Sequence, residues 1–94
     1  MNIENTKEKI NHCINLIEDN FSVKENTVLC NTWIKMIFIT LANSPFIDLS
    51  STGTLKEQVN ELKTLINIET DFPQHNNIIK SKIDVIRAEL GKLN

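Results

Sequence analysis

The most apolar part of the chain is residues 22–43, which read SVKENTVLCNTWIKMIFITLAN. From position 28 onward most residues are apolar, and Lys35 is the only charged one. The apolar positions do not alternate with a period of two, and about twenty residues exceeds the usual strand length of roughly 3–10. A helix with so little polar surface is typical of one surrounded by other elements. We therefore predict a central helix over about 23–43, with Trp33 in the core.

Three further segments have apolar residues at steps of three and four, which places these residues on one face of a helix. The remaining positions in each segment are mostly charged or amide side chains, as expected for the outer face of an amphipathic helix. These three predicted helices cover about residues 3–20, 55–69 and 73–90.

Short polar patterns suggest where the helices begin and end. Ser22 with Glu25, and Thr54 with Glu57, have the spacing of a capping box, in which each side chain bonds an amide that the first turn leaves unpaired. We expect these pairs to open the second and third helices. Gly91 is placed as a C-terminal stop for the fourth helix.

Four helices joined by turns of roughly 2–10 residues predict an all-α fold, a small four-helix bundle with antiparallel up-down-up-down topology. The chain of 94 residues is short enough to form one helical domain over 1–94. Its composition, 40% hydrophobic with a net charge of −2, is that of a folded chain.

The segment between the second and third helices, residues 44–53, reads SPFIDLSSTG and predicts a loop. Phe46, Ile47 and Leu49 are apolar, which is unusual for a fully solvated loop. Two interpretations remain open: these side chains cap the open end of the bundle, or they form an exposed patch for a partner.

Cys13 and Cys30 are the first candidates for chemistry, because an antiparallel pair of helices brings their positions near each other. Buried free thiols that act as small hydrophobes are the favoured interpretation, with a disulfide as the alternative. His12 and His75 are expected to be solvated or capping. With no CxxC or HxxxH spacing, the sequence predicts no metal site.

The sequence also offers little for catalysis. Two glycines provide no phosphate-binding loop, and no dinucleotide fingerprint is present. Glu18 and Asp19 are expected on the solvated outer side of the first helix. Because no set of residues meets the requirements of an active site, we predict that the protein is not an enzyme and uses no cofactor.

A DNA-binding interpretation uses the third and fourth helices as a helix-turn-helix. Gln74, Asn76 and Asn77 at the start of the fourth helix would reach base edges, and Lys80 and Lys82 would supply positive charge. The acidic balance of the chain weighs against this alternative, since nucleic-acid domains usually carry a basic face.

We therefore predict a non-enzymatic protein-binding module that regulates or inhibits a partner, in the manner of an immunity protein, a secretion chaperone or a phage inhibitor. A small acidic bundle is suited to a partner with a basic surface, because charge complementarity speeds association. The candidate partner-binding residues are the apolar Phe46, Ile47 and Leu49 and the acidic Glu57, Glu61, Glu69 and Asp71.

Two further expectations concern location and assembly. No signal peptide or membrane-spanning run is apparent, so we expect a complete cytoplasmic protein, and the abundance of isoleucine and asparagine suits a bacterial or phage genome. A structural homodimer, formed by leftover apolar stripes of the first and fourth helices, is a third alternative.

Overall fold

The computed structural model describes residues 3–43, 49–68 and 73–93, with side chains described at 4–43, 53–68 and 74–93. Four α-helices follow one another, and a single 3-10 turn, Lys24–Asn26, precedes the second. They are α1 (Ile3–Asn20), α2 (Thr27–Ala42), α3 (Leu49–Asn67) and α4 (Pro73–Gly91). Within the described ranges the chain contains no strand, and the predicted all-α four-helix bundle is confirmed.

The helices pack in a ring in which α1 contacts α2 and α4, and α3 contacts α2 and α4. Asn31 near the start of α2 is hydrogen-bonded to Asn67 at the end of α3, which makes these two helices antiparallel. His75 near the start of α4 reaches the carbonyl of Leu65 near the end of α3, so the next pair is antiparallel as well. The molecule is elongated, with extents of 41 × 20 × 16 Å.

One apolar core runs along the axis of the bundle, and each helix contributes side chains at steps of three and four. Most are isoleucine or leucine, and burying each stabilises the fold by roughly 1.5–3 kcal/mol. The buried apolar residues are Ile10, Cys13, Ile14, Ile17, Cys30, Ile34, Ile37, Leu41, Leu55, Val59, Leu62, Ile66, Ile79, Ile83, Ile86, Leu90 and Leu93.

The predicted interior position of the second helix is wrong. α2 buries one face, as its neighbours do, because in a ring of four helices none is surrounded. Trp33, predicted in the core, is half-buried and packs against the edge of the core cluster. The apolar side chains that remain exposed on α2 are Val28, Leu29, Met36 and Ile39.

The start of α2 also differs from the prediction. Ser22 and Glu25 do not cap it, because α2 begins at Thr27 with Asn26 as its N-cap residue. Asn26 makes no side-chain capping bond there; its amide donates instead to the side-chain carbonyl of Asn20, at 2.8 Å. The turn between α1 and α2 is therefore held by amide side chains rather than by a capping box.

The start of α3 lies earlier than predicted. The helix begins at Leu49, so positions 49–53 are helical rather than part of a loop, and Thr54 lies inside the helix. Neither Gly53 within α3 nor Gly91 at the end of α4 has a positive φ, so Gly91 is not a left-handed cap. A capping pattern is only a local signal, and a helix can continue through it when the preceding residues tolerate helical geometry.

Candidate functional site

The side of α2 that faces away from the core carries four of the exposed large apolar side chains of the described structure. Its four apolar side chains are between 47% and 74% exposed. Thr32 lies among them, and its hydroxyl donates to the carbonyl of Val28 at 3.1 Å, so its donor is used within the helix. We call this surface the α2 outer face and define it as Val28, Leu29, Thr32, Met36 and Ile39.

Four members of the α2 outer face are spaced for packing against another helix. Leu29, Thr32, Met36 and Ile39 follow one another at steps of three, four and three. This is the spacing of the contact positions in a coiled coil, where each side chain fits between residues of the facing helix. A face with this spacing presents a straight apolar stripe about three turns long.

A groove between α2 and α3 borders this face. Val28 and Ile39 line it from the α2 outer face, and Phe38 packs between the groove and the core. Asn31 and Asn67 exchange two amide hydrogen bonds, of 2.9 and 2.8 Å, and so tie α2 to α3 beside the groove. These bonds fix the separation of the helices at this end.

Two lysines, Lys35 of α2 and Lys63 of α3, line the same groove. Among the described side chains they are the only charged residues that line the groove, and neither has an ion pair with another described side chain. Lys82 of α4, by contrast, bonds Glu61 at 2.6 Å and Gln58 at 2.8 Å, both on α3. The α2 side of α3 therefore carries positive charge, whereas Glu61 on its other side is already paired.

Glu57 and Glu61, the two predicted partner-binding residues whose side chains the structure describes, do not lie on the α2 outer face. Glu57 is exposed, and Glu61 is engaged by Lys82 on the side of α3 that faces α4. The other predicted side chains lie outside the described residues, so their role stays a prediction: Phe46, Ile47, Leu49, Glu69 and Asp71.

Glu18 is not the freely solvated residue that the sequence suggested. Arg87 of α4 donates two hydrogen bonds to its carboxylate, at 2.7 and 3.0 Å, and a third to Asn15 at 2.6 Å. These bonds lower the pKa of the Glu18 carboxyl, and the positive charges of Arg87 and Lys80 act in the same direction. The single arginine of the chain joins the first and last helices.

The structure places both cysteines in the core and His75 against a backbone carbonyl. Cys13 and Cys30 are free thiols in the core, as favoured from the sequence, and burial raises the pKa of both. A raised thiol pKa reduces the thiolate fraction and hence the reactivity. Nε2 of His75 lies 2.6 Å from the carbonyl oxygen of Leu65, near the end of α3, and gives this carbonyl a hydrogen-bond partner. No three described His, Cys, Asp or Glu side chains cluster around a common metal position.

The geometry of α3 and α4 bears on the DNA-binding alternative. The two helices lie side by side and antiparallel, whereas a helix-turn-helix crosses its helices at about 90–120°. Lys82, one of the two predicted basic groups, is held by α3. The packing of α3 against α4 therefore does not support the DNA-binding hypothesis.

No described helix combines the length and the apolar character that crossing a bilayer requires. Comparison of the chain with protein-family models, curated proteins and solved structures gives no match. The class of protein that fold and site define is a small four-helix bundle with an apolar helix face open to solvent.

Sequence reasoning missed the α2 outer face because apolar density alone does not tell how many sides of a helix are covered. A signal was nevertheless present. The step pattern of positions 29, 32, 36 and 39 repeats on the side opposite Cys30, Ile34 and Ile37. Two apolar stripes on one helix indicate two packing surfaces, and among the described residues α1 and α3 cover only the inner one.

Proposed function

We propose that this protein is a non-enzymatic protein-binding module that regulates or inhibits a partner by docking through the α2 outer face. The observation that supports the proposal is the exposure of Val28, Leu29, Met36 and Ile39 on one side of a single helix. Burying such side chains is the main source of free energy in protein association. The largest contiguous apolar patch on a typical monomer, about 300–600 Å², is often functional.

Photo-crosslinking in cells of the native host tests this proposal. A photoreactive amino acid replaces Met36 in one variant and Ile78 in another; Ile78 is equally exposed, at 52% against 48%, but lies on α4. We expect the Met36 variant to form an adduct with one partner protein and the Ile78 variant to form none with it. Absence of an adduct from Met36, or the same adducts from both sites, contradicts the proposal.

A pair of double variants supports the interpretation of an adduct. L29S/I39S removes two side chains of the α2 outer face, and I78S/V85S removes two similarly exposed side chains of α4. Only the first should reduce the yield of the adduct. The DNA-binding alternative predicts instead a mobility shift of duplex DNA at low salt, where even non-specific binding is strong.

A further inference from the structure

The chemistry of the partner follows from the groove beside the α2 outer face. We propose that this face and the adjoining α2–α3 groove bind an amphipathic helix of another protein whose apolar stripe is flanked by acidic residues. The inference rests on the proposed function and adds the shape and charge of the ligand.

Shape favours a helix as the ligand. α2 has 16 residues, which is about 24 Å of helix. The apolar residues at 29, 36 and 39 lie on one side of α2, and Thr32 between them donates its hydroxyl hydrogen within the helix, so this side presents no unpaired hydroxyl donor. Amphipathic helices dock on such surfaces through anchors at i, i+3, i+4 and i+7.

Charge selects among amphipathic helices. Lys35 and Lys63 border the surface that the ligand would cover. Covering an ammonium group without supplying an opposite charge costs desolvation energy, so a neutral or basic ligand is disfavoured. Glu61, two residues before Lys63 on α3, is paired with Lys82 on the side of that helix that faces α4. Carboxylates on the ligand are then the groups that complement the two lysines.

A second copy of the chain fits this surface less well. A two-fold pairing of the stripe from position 29 to 39 places Lys35 close to the axis, where it meets Lys35 of the other copy. Like charges in that position oppose association.

The binding test uses three fluorescein-labelled synthetic peptides of about 18 residues, long enough for five helical turns. All three carry the same leucine stripe and no tryptophan, and their flanking positions are glutamate, glutamine or lysine. Fluorescence anisotropy measures binding, and emission from Trp33, the only tryptophan of the chain and half-buried on α2, reports contact. We expect the glutamate peptide to bind at least about tenfold more tightly than the lysine peptide at low salt, with a smaller ratio at high salt.

Matched variants locate the binding and its charge preference. L29S/I39S should weaken binding of the glutamate peptide at least about tenfold, and I78S/V85S should leave it unchanged. K35E/K63E should reverse the preference, so that the lysine peptide binds more tightly. K80E/K92E changes the net charge equally, at exposed lysines outside the groove, and should keep the original order of affinities.

Several outcomes overturn the inference. If all three peptides bind equally and L29S/I39S weakens them all, the acidic ligand is wrong while docking through α2 stands. If none of them binds, the inference fails, and the crosslinking experiment judges the proposed function separately. If the protein alone sediments as a dimer that L29S/I39S dissociates, the ligand is a second copy.

Discussion

Glu18 of α1 and Arg87 of α4 form a bidentate contact, with two hydrogen bonds between one guanidinium and one carboxylate. Each side chain is 31% exposed, so solvent screens the pair only in part. Bidentate pairs of this kind are stronger than single surface ion pairs, which contribute about 0–1 kcal/mol. The contact therefore contributes to the packing of α1 against α4.

Replacement of Glu18 by Gln should lower the free energy of unfolding by about 1 kcal/mol at neutral pH. Because Arg87 lowers the pKa of Glu18 in the folded state, this stabilisation is present above the unfolded-state pKa of roughly 4.3. It is lost as the pH falls through the lower folded-state value. Urea titrations of both proteins between neutral and acidic pH should thus converge at the acid end.

The matched control for this prediction is Glu57→Gln. Glu57 is exposed and has no described ion pair, so its replacement should change the free energy of unfolding by less than about 0.5 kcal/mol. An equal loss of stability in the Glu18→Gln and Glu57→Gln variants would show that the bond to Arg87 is not the cause of the destabilisation. So would a difference in stability between Glu18→Gln and the wild type that persists at acidic pH.

Gly53 lies within α3 without a positive φ, and a Cβ atom added there meets nothing within 4 Å. Glycine in a helix interior has more freedom to lose on folding than alanine. Gly53→Ala should therefore raise the free energy of unfolding by about 0.4–1 kcal/mol, measured by urea denaturation. A decrease would mean that α3 does not extend through this position.

Among the elements, α2 has two apolar sides with different roles, and truncation to alanine separates them. Ile34 faces the core and is 1% exposed, so Ile34→Ala should cost about 2–5 kcal/mol of stability. Met36→Ala on the opposite side should change the free energy of unfolding by less than about 0.5 kcal/mol. Urea denaturation of both variants compares the values, and similar losses would show that the α2 outer face is covered within the chain.

The helices themselves were predictable, because apolar residues at steps of three and four indicate a helix however that helix packs against its neighbours. The predicted range of about 3–20 matches α1, Ile3–Asn20. The starts of α2 and α3 were not predictable from Ser22–Glu25 or Thr54–Glu57. Such spacings also occur by chance, and the amide bond between Asn20 and Asn26 depends on how the chain turns.

The candidate site was predictable only in part. The sequence pointed to a binding module, but it selected acidic residues and a loop because these are the usual exposed groups. Which sides of α2 are covered depends on the number of neighbouring helices, and the pairing of Glu61 with Lys82 depends on how α3 packs against α4. Spacing along the chain indicates the second apolar stripe of α2, but it does not tell which stripe is covered or how α3 packs against α4.

At the scale of the whole molecule, the ring of helices is closed by contacts between its first and last members. Arg87 lies 69 residues from Glu18 and 72 from Asn15 along the chain. The bonds between α3 and α4 join residues much closer in sequence, such as His75 and Leu65, 10 apart. Bringing distant segments together costs more chain entropy than closing a local pair.

This difference in separation has a consequence for the order of folding. We expect the α3–α4 hairpin to be largely formed in the folding transition state. The contact between α1 and α4, made by Arg87 with Glu18 and Asn15, should form after it. Glu18→Gln should then speed unfolding about fivefold and leave the folding rate almost unchanged, whereas Ile83→Val within the hairpin should slow folding. Stopped-flow chevron plots would measure the folding and unfolding rates of both variants. The contact between α1 and α4, the last to form, would also be the first to break.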